Sequence, residues 1–166
     1  MNMTSYELDP SQSKIKILPD HLIDQIKAGE VVERPSSALK ELLENSLDAG
    51  PTDVKIHLVE NGLELIQIED NGHGMSYEEL PFAFYRHATS KLKKFDDLFD
   101  LSSFGFRGEA LASIASSAKV SCYSSPSSKD VCGGQIELNG GSISLYLKNS
   151  PNLNSGTTIS VRDLFY

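Results

Sequence analysis

A chain of 166 residues with 39% hydrophobic and 23% charged side chains is sized for one domain with a sizeable core. Its 15 basic and 23 acidic side chains leave a net charge of −8, which argues against a broad nucleic-acid-binding face; Lys91, Lys93 and Lys94 form the one local basic spot. Cys122 and Cys132 make neither a disulfide framework nor a metal cluster, the N-terminus lacks a secretory apolar stretch, and no apolar run nears the ~20 residues of a membrane span, so a soluble intracellular protein with reduced thiols is expected.

Residues 1–13 are polar and acidic and are expected to form a flexible tail. A short strand over 14–18 ends at Pro19, and Asp20 caps a helix to about Lys27. After Pro35, with Ser36 or Ser37 as the cap, a helix runs to the stop at Gly50. Its leucines Leu39, Leu42, Leu43 and Leu47 take one side, and Glu41, Glu44, Asn45 and Asp48 fall in one stripe on the other. VKIHLV (54–59) and LELIQIED (63–70), joined through Asn61-Gly62, read as a β-hairpin. Ser76 and Glu79 form a capping box for a helix reaching about Tyr85. Residues 86–108 carry little apolar periodicity and read as a long functional loop with a helical turn near 96–100.

A helix follows from about Gly108 to Ala118, and then four strands: 119–124, 134–139, 142–148 and 157–165, with Asn139-Gly140-Gly141 as a second hairpin turn. Helices followed by antiparallel-type strands, without regular βα alternation, predict a two-layer α/β sandwich with helices on one face of a mixed, largely antiparallel sheet.

Three constellations carry chemistry. The first is the stripe Glu41, Asn45, Asp48. An isolated acidic helix face is ordinarily a wet surface, but here Asn45 sits inside a helix it disfavours and Asp48 lies at the dipole's negative end. The Asn45 amide oxygen is a hard donor suited to Mg²⁺, and the Glu41 carboxylate one turn away can accept a proton from water. The second is Asp70-Asn71-Gly72-His73-Gly74 at a strand end. Alternation with Ile66 and Ile68 points the Asp70 carboxylate inward, where it can accept from an exocyclic amine such as that of adenine. Asp-Asn-Gly alone is ordinary turn chemistry; two glycines so close suggest a backbone that a ligand approaches. The third is the loop Gly105-Phe106-Arg107-Gly108 opening a helix at Glu109-Ala110-Leu111, an arrangement that gathers free N–H groups for an anion without being a Walker A loop. His73 and His87 lack partners at zinc-ligand spacing, and Ser90-Lys91 lies in no nucleophile motif.

The order AGEVVERPSSALKELLENSLDAG (28–50), DNGHGM (70–75), RHATSKL (86–92), FGFRGEALASI (104–114) and GTTISVRDLFY (156–166) resembles the GHKL ATPase superfamily, and within it the MutL family of DNA mismatch-repair proteins, from about Lys14 onward. The resemblance implies the GHKL (Bergerat) nucleotide fold over 14–166, with ATP and Mg²⁺ held between the sheet and a mobile lid at about 86–108. By position, Glu41 matches the general base, Asn45 the Mg²⁺ ligand, and Asp70 the carboxylate that meets the adenine amine. Gly72, Gly74 and Met75 match the pocket floor, and Asp48 its wall. Thr89, Ser90 and Lys91 match the lid, and Gly105, Phe106, Arg107, Gly108, Glu109, Ala110 and Leu111 the phosphate loop. Thr157 matches the adenine-side threonine, while Glu44 takes no role.

The family also implies ATP-driven dimerisation with an identical or paralogous subunit, a mismatch-recognition partner of the MutS type, and a cytoplasmic or nuclear setting according to whether the source is bacterial or eukaryotic. Its second N-terminal domain, which brings a lysine to the γ-phosphate and much of the DNA-binding surface, lies beyond Tyr166, so slow turnover and weak DNA binding are expected of this segment. Two alternatives are a topoisomerase-type ATPase half, against which GFRGEAL argues, and a nucleotide-gated interaction module with negligible hydrolysis.

Overall fold

The computed structural model describes residues 34–85, 109–151 and 154–165. The expected elements within 1–33 and 86–108 therefore lie outside the described residues, as do Thr89, Ser90, Lys91, Gly105, Phe106, Arg107 and Gly108.

Helix α1 (Pro35–Asp48) begins on a proline, with extended Arg34 before it and no side-chain cap. Neither Ser36 nor Ser37 is the cap, because the helix already begins at Pro35, whose φ suits the first helical position, so both serines lie inside the first turn. The helix ends at Ala49, and Gly50 takes φ +65°. The buried stripe is Ala38, Leu42 and Ser46, with Leu39 and Leu43 packed partly beside it. Leu47, expected on the apolar side, is 46% exposed. At about 100° per residue it stands some 100° round the helix from Ser46, past the edge of the buried stripe.

Strands β1 (Val54–Val59) and β2 (Leu65–Asp70) form the expected hairpin, turned by a 3₁₀ segment at Glu60–Gly62 in which Glu60 and Asn61 take positive φ. The Ser76–Glu79 capping box forms reciprocally: the Ser76 N–H donates to Glu79 Oε2 at 2.9 Å, and the Glu79 N–H to Ser76 Oγ at 3.3 Å. It leads into a five-residue 3₁₀ turn, Leu80–Phe84, rather than an α-helix. Pro81 at the start of that turn cannot donate an i→i−4 bond. Helix α2 (Ala110–Ser116) stops short of the expected Ala118.

The remaining strands are β3 (Lys119–Ser125), β4 (Gly134–Asn139), β5 (Ser142–Lys148) and β6 (Gly156–Arg162). β6 is shorter than the sequence suggests, because Asp163 turns to φ +50° and breaks the extended run. The six strands make one sheet in the order β1-β2-β6-β3-β4-β5, antiparallel in every described pair.

Register explains the core. On the face covered by the helices, Ile66, Val161, Val120 and Leu138 line up across β2, β6, β3 and β4. The next row on that face is Ile68, Ile159, Cys122 and Ile136. These eight side chains are buried against Ala38, Leu42, Leu80, Phe84, Ile114 and Ala115. The outer face carries polar rows such as Gln67, Ser160, Ser121 and Glu137, so the sheet is mainly apolar on one side and mainly polar on the other. At the far end of β5, Tyr146 stacks on Tyr77, with centroids 4.2 Å apart, and its hydroxyl donates to the Tyr77 carbonyl. Burial, followed by that bond, pushes the Tyr146 phenol up to about 12. Among the described residues no helix is long and apolar enough to cross a membrane.

Candidate nucleotide site

The third row of the inner face changes character. Asp70, Thr157, Ser124 and Gly134 occupy the register positions that isoleucines, valines and a cysteine hold in the rows below. The period-2 alternation continues unbroken, but its inward members turn polar at one end of the sheet. The structure thus brings Asp70 and Thr157, predicted from distant parts of the sequence, onto adjacent strands as direct partners.

Asp70 is 7% exposed. Its Oδ1 accepts the Gly72 N–H at 2.9 Å and its Oδ2 accepts the Ser46 hydroxyl at 2.9 Å. Beneath it the Cys122 thiol is raised to about 12, by burial first and by the Asp70 charge second, and so stays protonated. Both cysteines are free thiols.

Ser124, fully buried at 0% exposure, is the hub of the row. Its Oγ accepts the Met75 N–H at 2.8 Å, lies 2.8 Å from Thr157 Oγ1 and can donate to the Gly156 carbonyl at 3.3 Å. One hydroxyl therefore ties the loop after β2 to the end of β3 and the start of β6.

Residues 71–75 wrap this row. Asn71 bolts the loop to the segment before β1: its Oδ1 accepts the N–H groups of Thr52 and Asp53, both at 2.9 Å, and its Nδ2 donates to Thr52 Oγ1 at 2.8 Å. The His73 N–H donates to the Ala49 carbonyl at the end of α1, 3.0 Å away. The two glycines are needed here for a packing reason the sequence does not show. A Cβ on Gly72 would stand 2.6 Å from the Ala49 Cβ, and one on Gly74, at φ +65°, would stand 1.9 Å from the Ser125 carbonyl oxygen. The close approach they permit here is of the loop backbone to Ala49 and to the Ser125 carbonyl.

On α1, Glu41, Asn45 and Asp48 are all half-buried along the side of the helix adjoining Ala38 and Ser46. Glu44, half-buried as well, lies 3.7 Å from the exposed Lys40 one turn back, an ordinary i,i+4 ion pair. Glu109 is the N-terminal flanking residue of α2 and makes no side-chain cap; Ala110 opens the helix, and Leu111 packs partly against the core. A polar depression of about 500 Å³ opens beside the end of β2, lined by Asp53, Lys55, Glu69, Asp70, Asn71, Asn154 and Ser155.

Sequence reasoning missed Ser46 and Ser124. Each interrupts an apolar set: Ser46 continues the four-residue spacing of Ala38 and Leu42, and Ser124 the two-residue spacing of Val120 and Cys122. A small hydroxyl in a position where the pattern demands a hydrocarbon was the available signal.

This architecture, with a helix-covered antiparallel sheet and a polar row at one end of its inner face, has known relatives. Residues 33–162 match the family described as histidine kinase-, DNA gyrase B- and HSP90-like ATPases, and the chain belongs to that family. Within it, the chain is similar to the DNA mismatch repair protein MutL of Cellvibrio japonicus (strain Ueda107), at 50% identity over 153 residues, which are 92% of this chain and 24% of the relative. The MutL protein of Thermosipho africanus (strain TCF52B) is 47% identical over the same share of this chain and 26% of its own length. The chain thus spans about a quarter of the curated relatives it matches. Among solved structures, the crystal structure of the N-terminal domain of a DNA repair protein matches with a TM-score of 0.65 and 33% identity, over 86% of this chain and 39% of that one. The Aquifex aeolicus MutL ATPase domain complexed with ADP matches with a TM-score of 0.55 and 31% identity, over 82% of this chain and 45% of that one.

Proposed function

We propose that this chain is the Mg²⁺-dependent ATP-binding and ATP-hydrolysing domain of a MutL-type DNA mismatch-repair protein, extending over 14–166. The observation that carries the reading is the Asp70 carboxylate, buried in the inner row and held at each oxygen by one protein donor. Such a group is an acceptor with a fixed plane, suited to the amine of adenine. The ADP held by the Aquifex aeolicus relative supports a purine nucleotide as the ligand.

In this reading Thr157 stands beside Asp70 on the base side, and Glu41, Asn45 and Asp48 face the phosphates from α1. The donor chemistry suits Mg²⁺: a single amide oxygen at Asn45, without a cluster of three acidic, histidine or cysteine side chains among the described residues, fits a cation that keeps most of its waters. Bound Mg²⁺ would neutralise charge on the phosphates. Glu41 accepts the proton of the attacking water, and Asp48 walls the pocket. Residues 86–108 supply the lid through Thr89, Ser90 and Lys91, and Gly105 to Leu111 the phosphate contacts. ATP binding in turn drives pairing with a second subunit and engagement of a MutS-type partner.

Glu41→Ala and Asn45→Ala test this together. Glu41→Ala should keep Mg·ATP affinity, measured by calorimetric titration, and lose turnover. Asn45→Ala should lose Mg²⁺-dependent affinity itself. Loss of binding in Glu41→Ala would sink its assignment as the base. If both variants bind as the parent does and no turnover is detectable in the chain extended by its next domain, the nucleotide-gated interaction module is the better description.

A further inference from the structure

The proposed adenine contact leaves open what makes the Asp70 carboxylate selective. We infer that Ser46 is a positioning residue that sets base selectivity through Asp70; the inference rests on the adenine reading above. A carboxylate offers about four lone-pair sites on two oxygens, and its terminal torsion is intrinsically broad. A single donor would leave the group free to pivot about that bond. Here two donors from different elements each take one oxygen: the Gly72 N–H from the loop takes Oδ1 and the Ser46 hydroxyl from α1 takes Oδ2. Ser46 is 5% exposed, so water does not compete readily for its hydroxyl proton. The plane of the carboxylate, and with it the direction of the lone pairs left for a ligand, is therefore fixed by α1.

The chemical consequence is discrimination at one ring position. An oriented carboxylate accepts from a 6-amino group and repels a 6-oxo group, so it favours adenine over guanine. A carboxylate free to turn away still fills the pocket but discriminates poorly. Ser46 also follows Asn45 directly, so one turn of helix carries a proposed phosphate-side ligand and the bolt of the base-side acceptor.

The test measures selectivity rather than affinity. Mg²⁺ complexes of ATP, GTP and the purine ribonucleoside triphosphate lacking the 6-amino group are titrated into the whole chain and into Ser46→Ala, Ser46→Cys and Asp70→Asn. The parent should prefer ATP. Ser46→Ala should lower the ATP-to-GTP affinity ratio about tenfold, the scale of one hydrogen bond to a charged group, and bring ATP and the amino-free analogue closer together. Ser46→Cys, a weaker donor of similar size, should fall between. In an Asp70→Asn background, Ser46→Ala should leave the ratio where Asp70→Asn put it. A purely structural serine would weaken all three nucleotides alike, so an unchanged ratio in Ser46→Ala overturns the inference whatever happens to affinity. A parent protein with no preference for ATP over GTP would instead overturn the adenine reading itself.

Discussion

The two ends of the sheet's inner face share strands, register and helical cover, yet they do different work. At one end Ile66, Val161, Val120 and Leu138, and then Ile68, Ile159, Cys122 and Ile136, meet as apolar rows. At the other, Asp70, Thr157 and Ser124 occupy equivalent positions and exchange hydrogen bonds with α1 and the 71–75 loop. No change of backbone separates them. The proposed binding site continues a core pattern for one more row with different side chains, with the cost of burying polar atoms met by pairing each of them.

Substitutions at the two ends should fail differently. Ile68→Ala, in the fully buried apolar row, should cost about 2–5 kcal/mol of stability, read as a lower midpoint in urea unfolding. Nucleotide affinity of the fraction still folded should be nearly unchanged. Asp70→Asn should do the reverse: ATP affinity falls by about 10- to 100-fold, the worth of a hydrogen bond to a charged group, with a small change in unfolding midpoint. A large loss of stability with intact affinity would erase the distinction between the rows. Ser124→Ala should fall between, since it leaves the part-buried Met75 N–H without its acceptor. An expected cost of about 1–2 kcal/mol should come with faster amide hydrogen exchange at Met75, and an unaltered exchange rate would show that the hub does not hold the loop.

The smallest effect belongs to the rim. The Ser76 N–H and then the Ser76 hydroxyl hold the Glu79 carboxyl below its ordinary 4.5. A depressed folded-state value means that the box stabilises above about 4.5 and that this contribution disappears as pH falls through the lowered value. Because the group is largely exposed, the amount should stay under about 1 kcal/mol. Glu79→Gln should remove that acid-dependent part of the unfolding free energy without altering nucleotide selectivity.

The sequence made the strands legible because period-2 alternation and Asn-Gly or Gly-Gly turns are local signals. The bounds of β1, β4 and β5 coincide with those expected, and β2 begins two residues inside them. Asp70 was legible as inward-facing for the same reason. What was not legible depended on partners distant in sequence. Ser46 meets Asp70 across 24 residues and Ser124 meets Thr157 across 33, and nothing local marks either serine as more than a break in hydrophobic spacing. The glycines of the 71–75 loop were recognised as special, but what crowds them, Ala49 and Ser125, is a tertiary fact. The helix expected after Ser76 failed on Pro81, whose missing N–H outweighed a well-formed capping box.

The crowding at Gly74 and the Ser124 hub have a thermodynamic consequence. With the loop backbone pressed against β3 and its Met75 amide tied to a buried hydroxyl, the wall proposed for the base is ordered when the chain folds rather than when a nucleotide arrives. The conformational entropy of that wall is spent beforehand, so a ligand need not give up binding energy to organise it.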